Sequence, residues 1–106
     1  MNPDIKNKWL SALRSGKYEQ GRQYLRTPEN KFCCLGVLCD VVDPSLWNRP
    51  THDQNSWDYD NGAFAMLPTT LRTNLGVTPI AEQGLASMND RGESFPDIAT
   101  WIENYL

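Results

Sequence analysis

One stretch limits what this chain can become more than any other: Lys31–Val42, reading Lys-Phe-Cys-Cys-Leu-Gly-Val-Leu-Cys-Asp-Val-Val. From Phe32 to Val42 only Asp40 is charged, and no other run of this length is so apolar. Eleven residues exceed the 4–8 usual for a strand, so the run is expected to be a helix. On a helix, Cys34, Val37, Leu38, Val41 and Val42 share one face, while Leu35 and Cys39 widen it. A helix that is apolar nearly all round belongs in a core. Gly36 costs about 1 kcal/mol of helix propensity against Ala, but it lets a neighbouring element approach closely.

The flanking segments supply elements to cover it. Asn2-Pro3 marks a helix start, with Ile5, Trp9, Ala12 and Leu13 at helical spacing and Gly16 as the stop. Lys17–Arg26, interrupted by Gly21, is expected as loop or short strand, and Asp43-Pro44 closes the central helix. Asp60-Asn61-Gly62 is a tight-turn signal, predicting a hairpin with arms Ser56–Tyr59 and Ala63–Met66. Pro68 opens a short helix ending at Leu75-Gly76, and Val77–Ile80 is expected to be extended. Two helices follow, Ala81–Asn89 and one capped by Ser94 with a stripe of Phe95, Ile98, Trp101, Ile102 and Tyr105. The expected fold is a single, helix-dominated α+β domain over residues 1–106, with a central buried helix and a short β-hairpin.

Charge and cysteine content narrow the function classes. The net charge of -3 divides into +4 over residues 1–32 and -7 over residues 33–106. The simpler account is two solvated surfaces; the sharper one is a basic face for phosphates or an acidic partner. A pI near 5 without a recognisable motif speaks against general nucleic-acid binding. No segment approaches the ~20 apolar residues of a membrane span. The N-terminus lacks the apolar region of a secretory signal, so a cytoplasmic location is expected. Cys33, Cys34 and Cys39 are best explained as buried, reduced thiols.

Cys-Cys-Leu-Gly-Val-Leu-Cys-Asp (33–40), the Leu-Pro and Leu-Gly pairs (67–68, 75–76) and Met-Asn-Asp-x-Gly-x-Ser-Phe-x-x-Ile-Ala-x-Trp-Ile-Glu (88–103) resemble a known family, as does Trp-Leu-x-Ala-Leu-Arg-Ser-Gly-Lys-Tyr (9–18). It is a family of small, functionally unassigned proteins of tailed bacteriophages and bacteria. The likeness implies a phage setting, where small single-domain proteins often act on the host, and it brings no activity, cofactor or catalytic residue.

Four chemistries are weighed from the residues. Cys33 at a helix N-terminus is a candidate nucleophile, but the only histidine, His52, lies on a polar loop, and no cysteine-enzyme signature is present. Three cysteines and His52 lack the paired spacing of a zinc site. Asp58-x-Asp60-Asn61-Gly62 resembles the start of a calcium loop, yet Thr69 stands where the loop's closing Glu would be, and a turn explains the same residues. Asn89-Asp90-Arg91-Gly92 is either a helix-ending turn or an exposed site.

The leading expectation is a phage accessory or counter-defence protein acting by non-catalytic binding. It would sequester a small anionic ligand, such as a nucleotide, or occupy a host protein. The expected ligand-binding residues are Arg22, Arg26, Trp57, Tyr59, Asn89, Asp90 and Arg91. The arginines supply bidentate donors, and Trp57 and Tyr59 supply stacking surfaces. No cofactor and no metal are expected, and self-association is. The alternatives are a small hydrolase using Cys33 or Asp90, and a structural virion component.

Overall fold

In the computed structural model, which describes residues 1–106, the central run is indeed helical. Helix α2, Cys34–Val42, buries every residue from Cys34 to Cys39. Cys33 is its N-cap, the Sγ accepting from the Gly36 amide at 3.4 Å. Helix α1 (Pro3–Arg14) starts where Asn2 Oδ1 accepts from the Ile5 amide at 3.0 Å. It packs against α2, with Trp9 Nε1 donating to the Cys34 carbonyl at 2.9 Å. Helices α3 (Thr69–Leu75), α4 (Pro79–Asp90) and α5 (Phe95–Tyr105) complete the helical set. α4 covers another side of α2, and α5 bridges α1 and α4. Gly76, at φ +77°, closes α3 in the left-handed conformation that a glycine takes without strain.

The sheet is small and antiparallel, made of β1 (Trp47–Asn48) and β2 (Asp58–Tyr59), with Trp47 opposite Tyr59 and Asn48 opposite Asp58. This corrects the expected hairpin. The turn at Asp60–Gly62 exists, and Tyr59 and Ala63 exchange backbone hydrogen bonds at 2.7 and 3.0 Å. Pairing stops there, because the next carbonyl, Phe64 O, accepts from the Leu25 amide at 2.8 Å. The partner of β2 is instead Trp47, whose ring meets Tyr59 edge-on at 4.9 Å. Val77–Ile80 adds no strand either. Thr78 caps α4, its Oγ1 accepting from the Ala81 amide at 3.1 Å, and Pro79 occupies the first helical position.

The segment 17–26 is the loop that positions the candidate site. Extended backbone contacts hold it to the chain entering α2: Gly21 N donates to Phe32 O at 2.7 Å, and Phe32 N to Glu19 O at 2.8 Å. Leu25, fully buried, lies directly across Gly36, the close approach that glycine permits. One partly buried ion pair locks α3 to α4. Arg72 Nε stands 3.6 Å from Glu82 Oε1, while Glu82 Oε2 accepts from the Leu67 amide at 2.8 Å.

Candidate functional site

The basic loop and the α4–α5 turn meet at one edge of the molecule. Asp90 Oδ1 accepts from the Gln23 amide at 3.0 Å, and Arg22 lies against Gly92, where a Cβ would stand 2.8 Å from its Nη2. Arg91 pairs with Glu93 at 2.6 Å and is largely exposed. Asn89 is different. It is wholly buried, its Oδ1 accepting from the Cys34 amide at 3.1 Å and from Gln20 Nε2 at 3.0 Å, while its Nδ2 donates to Gly21 O at 2.8 Å. These bonds tie α4, the start of α2 and the basic loop together. Asn89 therefore shapes this corner from within, and Arg22, Asp90 and Arg91 form its outer surface.

A second group forms around Trp57. The Arg26 guanidinium lies over the indole, 3.7 Å from the ring centre, and is flanked by Phe32 at 5.2 Å and Trp47 at 5.4 Å. Arg26 Nε and Nη2 both donate to Asn30 Oδ1, at 3.1 and 2.9 Å. Arg49 approaches the same indole at 5.6 Å. Burial lowers the pKa of Arg26, Asp40 opposes that shift, and Arg49 adds to it. Asp40 itself is engaged by two donors, Tyr18 OH at 2.5 Å and Trp47 Nε1 at 3.0 Å. Burial and then this bond raise the Tyr18 pKa to about 12. Tyr59, also a candidate for ligand stacking, is 1% exposed and gives its hydroxyl to Asp43 O at 2.9 Å. In this conformation it supports the cluster from the core.

Ion pairing separates the six arginines into two sets. Arg14, Arg72 and Arg91 have carboxylate partners. Arg22, Arg26 and Arg49 have none within 4.0 Å. In the sequence nothing distinguishes Arg49 from any solvated arginine.

The three thiols are free and buried. Burial raises the Cys33 pKa to about 11, which its backbone donors only partly offset, and pushes Cys34 and Cys39 well above their ordinary 9.0. His52 is nearly fully exposed and lies beside Asp53 at 3.8 Å. Asp58 and Asn61 share the Asn48 amide, at 2.9 and 3.1 Å. No three His, Cys, Asp or Glu side chains converge closely enough to hold a metal. No helix is long and apolar enough to cross a membrane.

Fold and site together define a small α+β domain with guanidinium groups unmatched by carboxylates along one loop and the segment beside it. The chain belongs to the family described as Domain of unknown function (DUF8296), whose model matches residues 1–78. The matched span contains the 33–40 motif, Arg22, Arg26, Arg49 and Trp57; the 88–103 motif and the Asn89–Gly92 turn lie beyond it. No curated protein and no solved structure matches the chain.

Proposed function

We propose that this protein works by non-catalytic binding of a small anionic ligand, as an accessory or counter-defence factor of phage type. The observation that carries the binding reading is the set of three arginines, Arg22, Arg26 and Arg49, without carboxylate partners in a chain of net charge -3. Ten carboxylates lie in residues 33–106, yet the fold brings none of them within 4.0 Å of these three guanidiniums. Arg22 and Arg49 can meet an external anion as bidentate donors, and Arg26, whose Nε and Nη2 are given to Asn30, can add Nη1. The phage setting rests on the sequence resemblance alone. Binding is favoured over hydrolysis by Cys33, because its raised pKa keeps the thiol protonated near neutrality and its sulfur is occupied in capping α2.

The test is mass spectrometry of compounds released from natively purified protein, beside an Arg22→Glu/Arg49→Glu double variant at exposed positions. An anionic compound present with the wild type and depleted with the variant is the expected result. Release of no anion, with no anion bound in titration, would remove the proposal. Self-association belongs to the same proposal, supported by the exposure of Ile80 (84%) and Tyr105 (70%). A monomer in sedimentation across micromolar concentrations would remove that part alone.

A further inference from the structure

Two of the unmatched guanidiniums share one indole. Arg26 lies 3.7 Å and Arg49 5.6 Å from the centre of the Trp57 ring, near enough for Arg49 to disfavour the charge on Arg26. Asp40 acts on Arg26 more strongly in the opposite sense, yet its two oxygens accept from Tyr18 and Trp47 and it forms no ion pair with either guanidinium. Arg26 gives Nε and Nη2 to Asn30, which leaves Nη1 without a partner. The Trp57 Nε1 donor is shielded from solvent and has no acceptor in the chain. Like charges held together beside an unsatisfied donor describe a place that lacks an anion.

We infer that Arg26, Arg49 and Trp57 form a recognition site for a phosphate monoester. The dianionic head bridges Arg26 Nη1 and the Arg49 guanidinium beside the indole, matching two positive charges with two negative ones. A carboxylate supplies one charge and two oxygens, and leaves the second guanidinium unmatched. The organic part has room next to this group. Ser56 and Asp58, the neighbours of Trp57 in the chain, line an open hollow of about 350 Å³ with Tyr24 and Phe64. Asp58 keeps the phosphate out of that hollow and offers an acceptor to a hydroxyl or amino group, while the two aromatic rings offer apolar surface. This inference rests on the anion-binding proposal and adds to it the ligand class and the role of Arg49.

The test is calorimetric titration at low salt with inorganic phosphate, a nucleoside 5′-monophosphate and the parent nucleoside. The variants are Arg49→Glu, Arg26→Lys, Arg22→Glu and, as a control of equal charge change, Lys17→Glu, with circular dichroism confirming that each is folded. Arg49→Glu and Arg26→Lys should each weaken the monophosphate by about tenfold or more. Lys17→Glu should stay within about twofold, and the nucleoside alone should bind at least about tenfold more weakly. Wild-type affinity in Arg49→Glu, with loss in Arg22→Glu, would overturn this site and leave anion binding intact at the Arg22 corner. Binding of neither phosphate nor the monophosphate, with an anion still released from the natively purified protein, would overturn the ligand class alone.

Discussion

Gly36→Ala is the sharpest test of how the fold is held, because two well-known effects oppose each other there. Alanine improves helix propensity by about 1 kcal/mol over glycine, so on an exposed helix the variant would be more stable. On α2, however, a methyl at position 36 would stand 2.6 Å from the Leu25 carbonyl carbon and 3.1 Å from its Cα, and nearer still to the carbonyl oxygen. To restore ordinary contact at 3.4 Å, the Leu25 carbonyl oxygen, the nearest atom, must retreat by about 1.6 Å. That backbone is not free to move. Its amide donates to Phe64 O at 2.8 Å, its carbonyl accepts from Cys33 N at 3.3 Å, and its side chain is fully buried. Overpacking costs about 1–3 kcal/mol, and stranding the buried Cys33 amide costs a similar amount. After the propensity gain is subtracted, the net loss is about 1–5 kcal/mol, and its central value of about 3 kcal/mol corresponds to a fall in Tm of roughly 12–24 °C for a domain of this size. Gly84→Ala is the matched control. It is the same substitution inside a helix, α4, where a Cβ meets nothing within 4 Å, and it should stabilise by up to about 1 kcal/mol. Urea denaturation of both variants reads the two signs. If Gly36→Ala matched or exceeded the wild type, the packing of Leu25 across α2 would be refuted.

Other substitutions probe different parts of the same framework. Leu38→Ala removes a fully buried side chain and should cost about 2–5 kcal/mol in denaturant unfolding; a loss below about 1 kcal/mol would contradict its burial. Asn89→Ala strands the Cys34 amide and the Gly21 carbonyl, and should cost about 2–4 kcal/mol while speeding hydrogen exchange across residues 20–23. Alkaline pH should unfold the protein early. Cys33 and Tyr18 have raised pKa values in the folded state, so their contribution is complete below pH 9 and is lost between 9 and 11 for Cys33, and between 10 and 12 for Tyr18. For the buried thiol this amounts to roughly 2–3 kcal/mol, and a Cys33→Ala variant should show a shallower decline from pH 9 to 11 in urea midpoints.

Much of the helical framework was legible because its signals are local. Asn2-Pro3, Asp43-Pro44, Leu75-Gly76 and Ser94 each act within a few residues, and the boundaries they mark agree with the structure. The sheet was not legible in the same way. Two-residue strands have almost no pattern of their own, and the choice of Trp47 over Ala63–Met66 as the partner of β2 is set by aromatic packing across the chain. The burial of Asn89 did leave a trace, since it falls four residues after Leu85 and seven after Glu82 on the inward face of α4. The adjoining Asp-Arg-Gly turn signal masks that periodicity in the sequence. Arg26 and Trp57 are individually plausible ligand contacts in the sequence, but their stacking depends on a pairing across thirty residues. Arg49 gains its interest only from where the fold puts it.

Folding and binding meet in the loop that α2 holds. Phe32, leading into α2, bonds through its backbone to Glu19 and Gly21, and its ring touches Tyr18 at 5.1 Å, Trp47 at 6.0 Å and the Arg26 guanidinium at 5.2 Å. The apolar run that drives folding therefore also orients the cation at the candidate site. A site built this way loses little freedom when a ligand arrives, because the backbone carrying Arg26 is already fixed by its neighbours. Leu25 and Arg26 divide the two tasks between adjacent residues, one filling the core across Gly36 and the other standing over Trp57. The consequence is a difference between variants. Arg49→Glu changes an exposed side chain and should weaken anion binding with Tm within about 2 °C of the wild type. Gly36→Ala displaces Leu25 and its neighbour together, so it should lower both stability and affinity at temperatures where the protein remains folded. Measured on the same preparations by calorimetry and thermal unfolding, equal affinities for Gly36→Ala and the wild type would mean that the loop adjusts independently of α2, and the proposed coupling would fail.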